Sequence, residues 1–249
     1  MTVLAVENLT LAHPGKTLLR DLSLAFRPGE CWAILGANGC GKTTLLHALA
    51  GLRATQRGAV KLGEKSVADF PRRELAQRIG LLLQEEPSAF HGTVREYVEL
   101  GLFSQGTWLS GNTGAASRAD VAMSRMQITS QADHPWNQLS GGERQRARLA
   151  QLLAQAPDIF LLDEPLLHLD LRHQLTVLQT FRTLARDDGK CVIIVLHDSL
   201  WASQFCDHAL MLYDDGNSRF GSAQTLITKT NLAKLYSCTM ENFEFSFPA

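Results

Sequence analysis

A glycine-rich segment carries residues whose types and spacing suit one kind of chemistry. It consists of Gly36, Ala37, Asn38, Gly39, Cys40, Gly41, Lys42, Thr43 and Thr44. A short apolar run precedes it, and the following residues predict a helix from Lys42 to about Ala50. In that setting backbone N–H groups curl around phosphate oxygens, and the helix N-terminus favours negative charge. We expect Lys42 to reach the β- and γ-phosphates of a nucleotide and Thr43 to bind Mg²⁺. The alternative, a chance glycine turn, is disfavoured by the flanking strand and helix.

Two carboxylates stand at the end of a second apolar run. Asp163 and Glu164 follow the segment from Ile159 to Leu162, which predicts a buried strand. Asp163 at the strand tip suits a second ligand to Mg²⁺, and Glu164 suits a general base that polarises an attacking water. Taken alone, this pattern also fits a strand that ends at a polar turn before Pro165.

Ser140, Gly141, Gly142 and Glu143 form a third candidate element. Ser140 and Glu143 have the spacing of a capping box, which predicts a helix that begins here and runs to about Gln155. Two glycines at a helix start leave bare N–H groups facing outward, which suits an anion. An ordinary capped helix is the simpler interpretation.

The elements that must position these residues predict an α/β protein with a largely parallel sheet. Buried-type strands are expected at residues 79–83, 159–162 and 192–196, with a helix over 171–186. The first forty residues also favour strands. From about residue 87 to residue 138 no strong strand pattern occurs, and capping boxes at Thr93 and Ser117 predict helices on either side of a loop at 104–116.

Composition and charge exclude several classes. The 249 residues include 24 Lys and Arg and 25 Asp and Glu, a net charge of −1 that argues against bulk-charge binding of nucleic acid. Five scattered cysteines without C-x-x-C pairs favour a reducing compartment over a disulfide framework. No apolar run is long enough to span a bilayer, and no signal peptide is expected.

Together the phosphate loop, the Leu139–Glu143 segment and the carboxylate pair resemble the ATP-binding cassette family, the ATPase subunits of ABC transporters. The resemblance covers about residues 1–225. It implies a P-loop NTPase core with a largely parallel sheet, an antiparallel β part and an inserted α-helical subdomain. The expected division is a single ATPase domain, residues 1–249, with the core at 1–86 and 150–228, the helical subdomain at 87–149 and a C-terminal extension at 229–249.

The resemblance also implies roles for further residues. Gln84 is similar to the glutamine that touches Mg²⁺ and water, His197 to the histidine that contacts the γ-phosphate, and Asp170 to the D-loop aspartate. Two copies are expected to bind head to tail, with Ser140 to Gly142 of one on the ATP of the other. His13 stands where the family usually has an aromatic residue that stacks on adenine, and an exposed turn residue is an equal alternative. Leu166 and Leu167 replace the small or hydroxyl residues usual after Glu164 and Pro165, which leaves communication across the dimer in question.

The implied function is hydrolysis of ATP, with Mg²⁺, to energise an importer of a metal chelate such as a ferric siderophore, haem or vitamin B12. The implied partners are a transmembrane permease, a second copy of the chain and, indirectly, a substrate-binding protein, with no nucleic acid. The implied location is the cytoplasmic face of the inner membrane. The alternatives are an ABC ATPase acting as an assembly factor, as in iron–sulfur biogenesis, and a DNA-repair cassette, which the absence of a long heptad run disfavours.

Two smaller expectations concern single side chains. Cys40 lies at a helix N-terminus beside Lys42, which predicts a lowered thiol pKa and a reactive sulfur, with an inward-pointing spacer as the alternative. Arg144, Arg146 and Arg148 follow the capped glycines and favour a solvated helix face over a nucleic-acid site.

Overall fold

The computed structural model describes residues 3–84, 90–105 and 113–239. Its strands are β1 (Leu4–His13), β2 (Lys16–Phe26), β3 (Cys31–Gly36), β4 (Arg57–Leu62), β5 (Lys65–Ser66), β6 (Ile79–Leu82), β7 (Ile159–Asp163), β8 (Cys191–Val195), β9 (His208–Leu212) and β10 (Ser218–Ser222). Its α-helices are α1 (Lys42–Leu49), α2 (Arg72–Arg78), α3 (Val94–Glu99), α4 (Thr113–Arg125), α5 (Gly141–Gln155), α6 (Leu171–Arg186), α7 (Ser199–Phe205), α8 (Ala223–Leu226) and α9 (Lys229–Leu235).

The strands form two separate sheets. A six-stranded sheet has the order β10-β9-β3-β8-β7-β6, parallel throughout except for the antiparallel β10–β9 pair. Its central strands β3, β7 and β8 are buried at every position, which explains their continuous apolar runs. A second, antiparallel sheet has the order β2-β1-β4-β5. The predicted α/β class, with a largely parallel sheet and an antiparallel part, is confirmed.

One apolar cluster lies on each face of the large sheet. Helix α1 and the antiparallel sheet cover one face, with Leu45, Leu46 and Phe26 fully buried there. Helix α6 and part of α5 cover the other face, where Phe160 and Phe181 meet edge to face at 5.4 Å. The sheet is therefore fixed from both sides, so the loops at its edges start from rigid positions.

Helices α3 and α4 pack on α5 and form the predicted helical region. Tyr97 stacks on Trp136 with ring centroids 4.0 Å apart, and Phe90 meets both rings edge on. The predicted domain boundary between residues 149 and 150 falls inside α5, which runs unbroken from this region to β6. The N-terminus of α5 and the sheet are therefore joined by one continuous helix.

Most predicted helix boundaries are confirmed, and one is wrong. Thr93 and Glu96 form both hydrogen bonds of a capping box at α3, although the chain continues after Glu99 as a 3₁₀ helix to Gln105. Helix α4 begins at Thr113, so Ser117 lies within the helix instead of capping it, and the loop predicted at 104–116 is shorter. The alanines at 115 and 116 explain the difference, because alanine has the highest helix propensity and extends the helix upstream. Residues 106–112 of that loop lie outside the described residues.

Candidate functional site

The carboxyl ends of four parallel strands meet at one edge of the large sheet. The phosphate-loop segment follows β3, Gln84 follows β6, Asp163 and Glu164 stand at the end of β7, and His197 follows β8. Because parallel strands end on the same side, residues far apart in sequence come together there, as ligand sites do in open α/β sheets. This edge holds the candidate site.

The phosphate loop has the geometry that its glycines require. Gly41 caps α1 with φ of 108°, a left-handed conformation that favours glycine. A Cβ added to Gly36 would lie 2.6 Å from the carbonyl oxygen of Leu212, so no side chain fits. The buried Lys42 ammonium donates to the carbonyl oxygens of Gly36 and Ala37, at 2.8 and 2.9 Å. The loop is thus folded around its own lysine.

A cavity of about 350 Å³ opens above this loop. The predicted residues that line it are Asn38, Gly39, Gly41, Lys42, Thr43 and Thr44 of the loop, together with His13, Gln84, Glu164 and His197. The cavity therefore brings together predicted residues from five separate segments, and it combines the glycine-rich loop with a carboxylate, an amide and two imidazoles.

The Glu164 carboxylate lies between two polar side chains. His197 Nε2 is 2.7 Å from Glu164 Oε1, and Gln84 Nε2 donates to Glu164 Oε2 at 3.3 Å. An ionised carboxylate only accepts hydrogen bonds, so both neighbours donate and fix its direction. Glu164 also has φ of 49°, an uncommon conformation for a side-chain-bearing residue, which the surrounding structure must hold in place.

Asp163 has an environment suited to a cation. It is 1% exposed, and neither carboxylate oxygen has a hydrogen-bond partner among the described residues. Burial raises the pKa of this carboxyl, and the nearby Glu164 charge adds to the rise, while Thr43, His47 and Lys42 oppose it. The Thr43 hydroxyl faces Asp163 without the geometry of a full hydrogen bond. Two orphan oxygens beside a hydroxyl and the phosphate loop fit Mg²⁺, which prefers carboxylate and hydroxyl oxygens.

The expectation for Cys40 is wrong. Its side chain is 1% exposed, and burial raises the pKa of the thiol, although the Lys42 charge and N–H partly oppose the rise. The sulfur lies beneath the loop, so close to Gly36 that a Cβ there would lie 2.6 Å from it. Desolvation outweighs the helix N-terminus here, and the alternative of an inward-pointing spacer describes the residue.

His13 lies at the cavity rim with an unpredicted neighbour. The Arg53 guanidinium approaches His13 Nε2 at 3.4 Å and donates to the Ala12 carbonyl oxygen at 2.9 Å. The contact orients an imidazole that is otherwise exposed.

The predicted capping box at the start of α5 is present. Glu143 N donates to Ser140 Oγ, and Ser140 N donates to Glu143 Oε2 at 2.9 Å. These Ser140 groups lower the pKa of Glu143. Ser140 and Gly141 are exposed, and the residues 140–143 do not line the cavity of their own chain. The structure therefore does not bring this segment to the phosphate loop.

The segment after Glu164 packs against the start of α5. A Cβ added to Gly142 would lie 2.8 Å from the carbonyl oxygen of His168, a residue with φ of 63°. Asp170 caps α6 by accepting from His173 N at 2.9 Å and from His173 Nδ1 at 2.8 Å, and the backbone contact lowers its pKa. Leu166 is half-buried, whereas Leu167 is exposed.

The expectation of a solvated arginine face is also wrong. Arg146 and Arg148 are 9% and 5% exposed. Arg146 donates to the carbonyl oxygens of Met126 and Gln127, and Arg148 to that of Leu83. Sequence reasoning missed these contacts and those of the buried Gln145. The available signal was their i, i+3 spacing, which places Gln145 and Arg148 on one helix face.

Comparison with known proteins decides the family. The ABC transporter family profile matches residues 19–167, more than half of the chain. The chain belongs to the ABC transporter family. It is an ATP-binding and ATP-hydrolysing subunit that energises transport, and it acts within a transporter complex.

Individual relatives and solved structures support the same family assignment. The hemin import ATP-binding protein HmuV of Bordetella parapertussis is 37% identical over 243 residues, covering 94% of this chain and 91% of the relative. A structure described as an inward-facing metal-chelate type ABC transporter gives a TM-score of 0.80 at 28% identity, covering 94% and 89%. A bacterial ABC transporter cassette solved as a dimer gives 0.77 at 29%, covering 89% and 99%. Among the residues described for the present chain, no helix has the length and apolarity to cross a membrane.

Proposed function

We propose that this chain binds Mg-ATP in the cavity above the phosphate loop and drives import of a metal chelate, such as haem, through a membrane permease. The observation that carries the proposal is the convergence of Lys42, Thr43, Gln84, Glu164 and His197 on one cavity. The substrate class is supported by the hemin import relative and by the structure described as metal-chelate type.

In the proposed mechanism the phosphate loop binds the nucleotide phosphates through its backbone N–H groups and the Lys42 ammonium. Thr43 and Asp163 would hold Mg²⁺, because the two orphan oxygens of Asp163 lie beside the Thr43 hydroxyl. When bound, Mg²⁺ supplies positive charge that stabilises the transferring phosphoryl group. His13 would contact the base, oriented by Arg53.

Glu164 would orient the attacking water and accept its proton. Its carboxylate is directed by Gln84 and His197, so the base is positioned before substrate arrives. His197 Nε2 and the Gln84 amide donate to the two oxygens of the Glu164 carboxylate. For His197 to contact the γ-phosphate as well, its contact with Glu164 would have to open when ATP binds. Each of these roles belongs to a side chain that lines the cavity.

The exposed N-terminus of α5 would complete the site in a second copy. Gly141 and Gly142 present backbone N–H groups at a helix start capped by Ser140, yet residues 140–142 lie outside the cavity of their own chain. A head-to-tail dimer, supported by the relative solved as a dimer, would bring them to the partner's ATP. We place this dimer on a permease at the cytoplasmic face of the membrane. A substrate-binding protein would deliver the chelate to the permease from the opposite side of the membrane.

Transport by the reconstituted complex tests the proposal. The chain is co-expressed with a candidate permease from the same genome, and ATP-dependent uptake of haem, a ferric siderophore and vitamin B12 into proteoliposomes is measured. We expect the wild-type chain to associate with membranes only when the permease is present and to support uptake of at least one chelate. The Glu164→Gln variant should associate in the same way but support no uptake. An ATPase rate that is the same with and without the permease, together with no uptake of any chelate, would favour an assembly-factor role instead.

A further inference from the structure

A ring of hydrogen bonds joins helix α5 to the two segments that carry Gln84 and Glu164. Gln145 and Arg148 lie one helical turn apart on the same side of α5, and they are 3% and 5% exposed. Polar side chains this deeply buried are costly unless their hydrogen bonds are met. Their partners therefore indicate what they are for.

The contacts lead from one catalytic segment to the other. Arg148 Nη2 donates to the carbonyl oxygen of Leu83, which belongs to the same peptide group as the Gln84 N–H. Arg148 Nη1 donates to Gln145 Oε1 at 2.8 Å, and Gln145 Nε2 donates to the carbonyl oxygen of Pro165 at 3.0 Å. The Gln84–Glu164 hydrogen bond of 3.3 Å closes the ring on the cavity side.

The residue types suit this arrangement closely. Glutamine has both a donor and an acceptor, and here Arg148 requires the acceptor while Pro165 requires the donor, so the amide has one orientation. The planar guanidinium directs two N–H groups along fixed lines, which a lysine ammonium does not do. The ring thus fixes the peptide before Gln84 and the peptide after Pro165 relative to one helix.

We propose that Gln145 and Arg148 are positioning residues that hold Gln84 and Glu164 at the separation needed for water attack, and that they link this geometry to helix α5. The proposal rests on the function assigned to Glu164 above. The Gln145 contact is made to the residue directly after Glu164, whose left-handed φ of 49° has to be held by the surrounding structure. Because Ser140 caps α5, a contact made at the helix N-terminus would be coupled to Glu164 through one continuous helix.

Steady-state kinetics of the purified full-length chain test the proposal. In Arg148→Met we expect kcat to fall ~10–100-fold, because a displacement on the order of 1 Å in a reacting group costs about 10²-fold. KM for Mg-ATP should stay within about threefold, because the cavity contacts to the nucleotide remain. Arg148→Lys should restore only part of kcat, since it returns the charge without the fork.

A second variant guards against loss of folding. Gln145→Glu keeps an acceptor for Arg148 but replaces the donor to Pro165 by a repelling oxygen, so the kcat of the folded chain should fall, with thermal denaturation checking that the variant is folded at the assay temperature. Arg146→Met is the matched control, because Arg146 is a buried arginine of the same helix whose carbonyl partners, Met126 and Gln127, lie away from the cavity. It should lower stability and leave the kcat of the folded chain unchanged.

A double-mutant cycle separates positioning from general stability. In a Glu164→Gln background, measured by single-turnover hydrolysis, Arg148→Met should cause no further loss, because the base that it positions is gone. A full further loss in that background, an equal kcat loss in Arg146→Met, or unchanged kcat in both Arg148→Met and Gln145→Glu would each overturn the proposal. An undiminished rate in Glu164→Gln alone would instead contradict the function assigned to Glu164.

Discussion

The cavity at the sheet edge and the N-terminus of helix α5 both suit the binding of an anion, but they differ in how many of the predicted site residues surround them. In the cavity, Lys42, Gln84, Glu164 and His197 come from separate strand ends and converge on one volume. At α5, Gly141 and Gly142 present N–H groups at a helix start capped by Ser140, but these residues do not line the cavity of their own chain. The cavity lacks the α5 residues on its open side, and the start of α5 has no nucleotide-binding cavity of its own chain next to it. In the head-to-tail dimer proposed above, a second copy would supply what each region lacks.

The largest expected effect belongs to the cavity. Glu164→Gln should lower kcat by about 10²–10⁴-fold, because it removes the general base while the phosphate loop still binds ATP. ATP that is bound but not hydrolysed should then hold two chains together, which size-exclusion chromatography with Mg-ATP detects as a dimer. Unchanged turnover would remove Glu164 from the role of base, and a monomer at saturating ATP would weaken the comparison between the two regions.

The second prediction concerns the start of α5. Ser140→Arg should lower turnover by roughly 10²–10³-fold, the size of effect seen when a transition-state donor is lost, because a bulky cation covers the glycine N–H groups. ATP binding by the isolated monomer should remain nearly intact, as measured by calorimetry. If monomer binding falls as far as turnover, Ser140 acts within its own chain, and the two regions are not complementary.

The smallest expected effect is on stability, measured without Mg²⁺ in EDTA. Asp163→Asn should stabilise the chain at neutral pH, because it replaces a buried, unpaired carboxylate by a neutral amide of the same shape, while abolishing hydrolysis. Burial raises the pKa of Asp163 in the folded chain above its ordinary value of 3.8. The ionised carboxylate therefore destabilises the fold fully when the pH lies above the pKa of both the unfolded and the folded chain. The advantage of the variant should vanish below the ordinary pKa, where the carboxyl is protonated in the folded and unfolded chains alike.

Thermal denaturation at a series of pH values, with Asp158→Asn as an exposed control near β7, distinguishes this cause from a general charge effect. Asp158 pairs with Arg78 and Lys190 at the surface, so its loss should not stabilise the chain. A thermal midpoint of Asp163→Asn at or below that of wild type at neutral pH would show that the carboxylate is not strained by burial.

How far the sequence predicts these regions depends on how local their causes are. The phosphate loop and the capping box of Ser140 and Glu143 are contiguous patterns whose geometry follows from adjacent backbone, so they are predicted residue by residue. The parallel sheet follows from continuous apolar runs, and the meeting of strand ends follows from the sheet.

Other features depend on what packs against a residue, which no local pattern encodes. Arg148 is buried because the segment ending at Leu83 lies on it, and the helix sequence alone predicts exposure. The Cys40 thiol has a raised pKa because the loop folds over it, although its neighbours in sequence predict the reverse. The contact of Arg53 with His13 joins residues forty positions apart and has no sequence signal.

The central claim, that each ATP lies between the phosphate loop of one chain and the α5 start of the other, is tested most directly by mixing two inactive variants. Lys42→Ala lacks the phosphate loop's cation but keeps an intact Ser140, whereas Ser140→Arg keeps an intact loop. Neither homodimer has a complete site, but a mixed dimer has one. If chains exchange at random and sites act independently, an equimolar mixture should regain up to about a quarter of the wild-type ATPase rate. A mixture no more active than its two components would contradict the account.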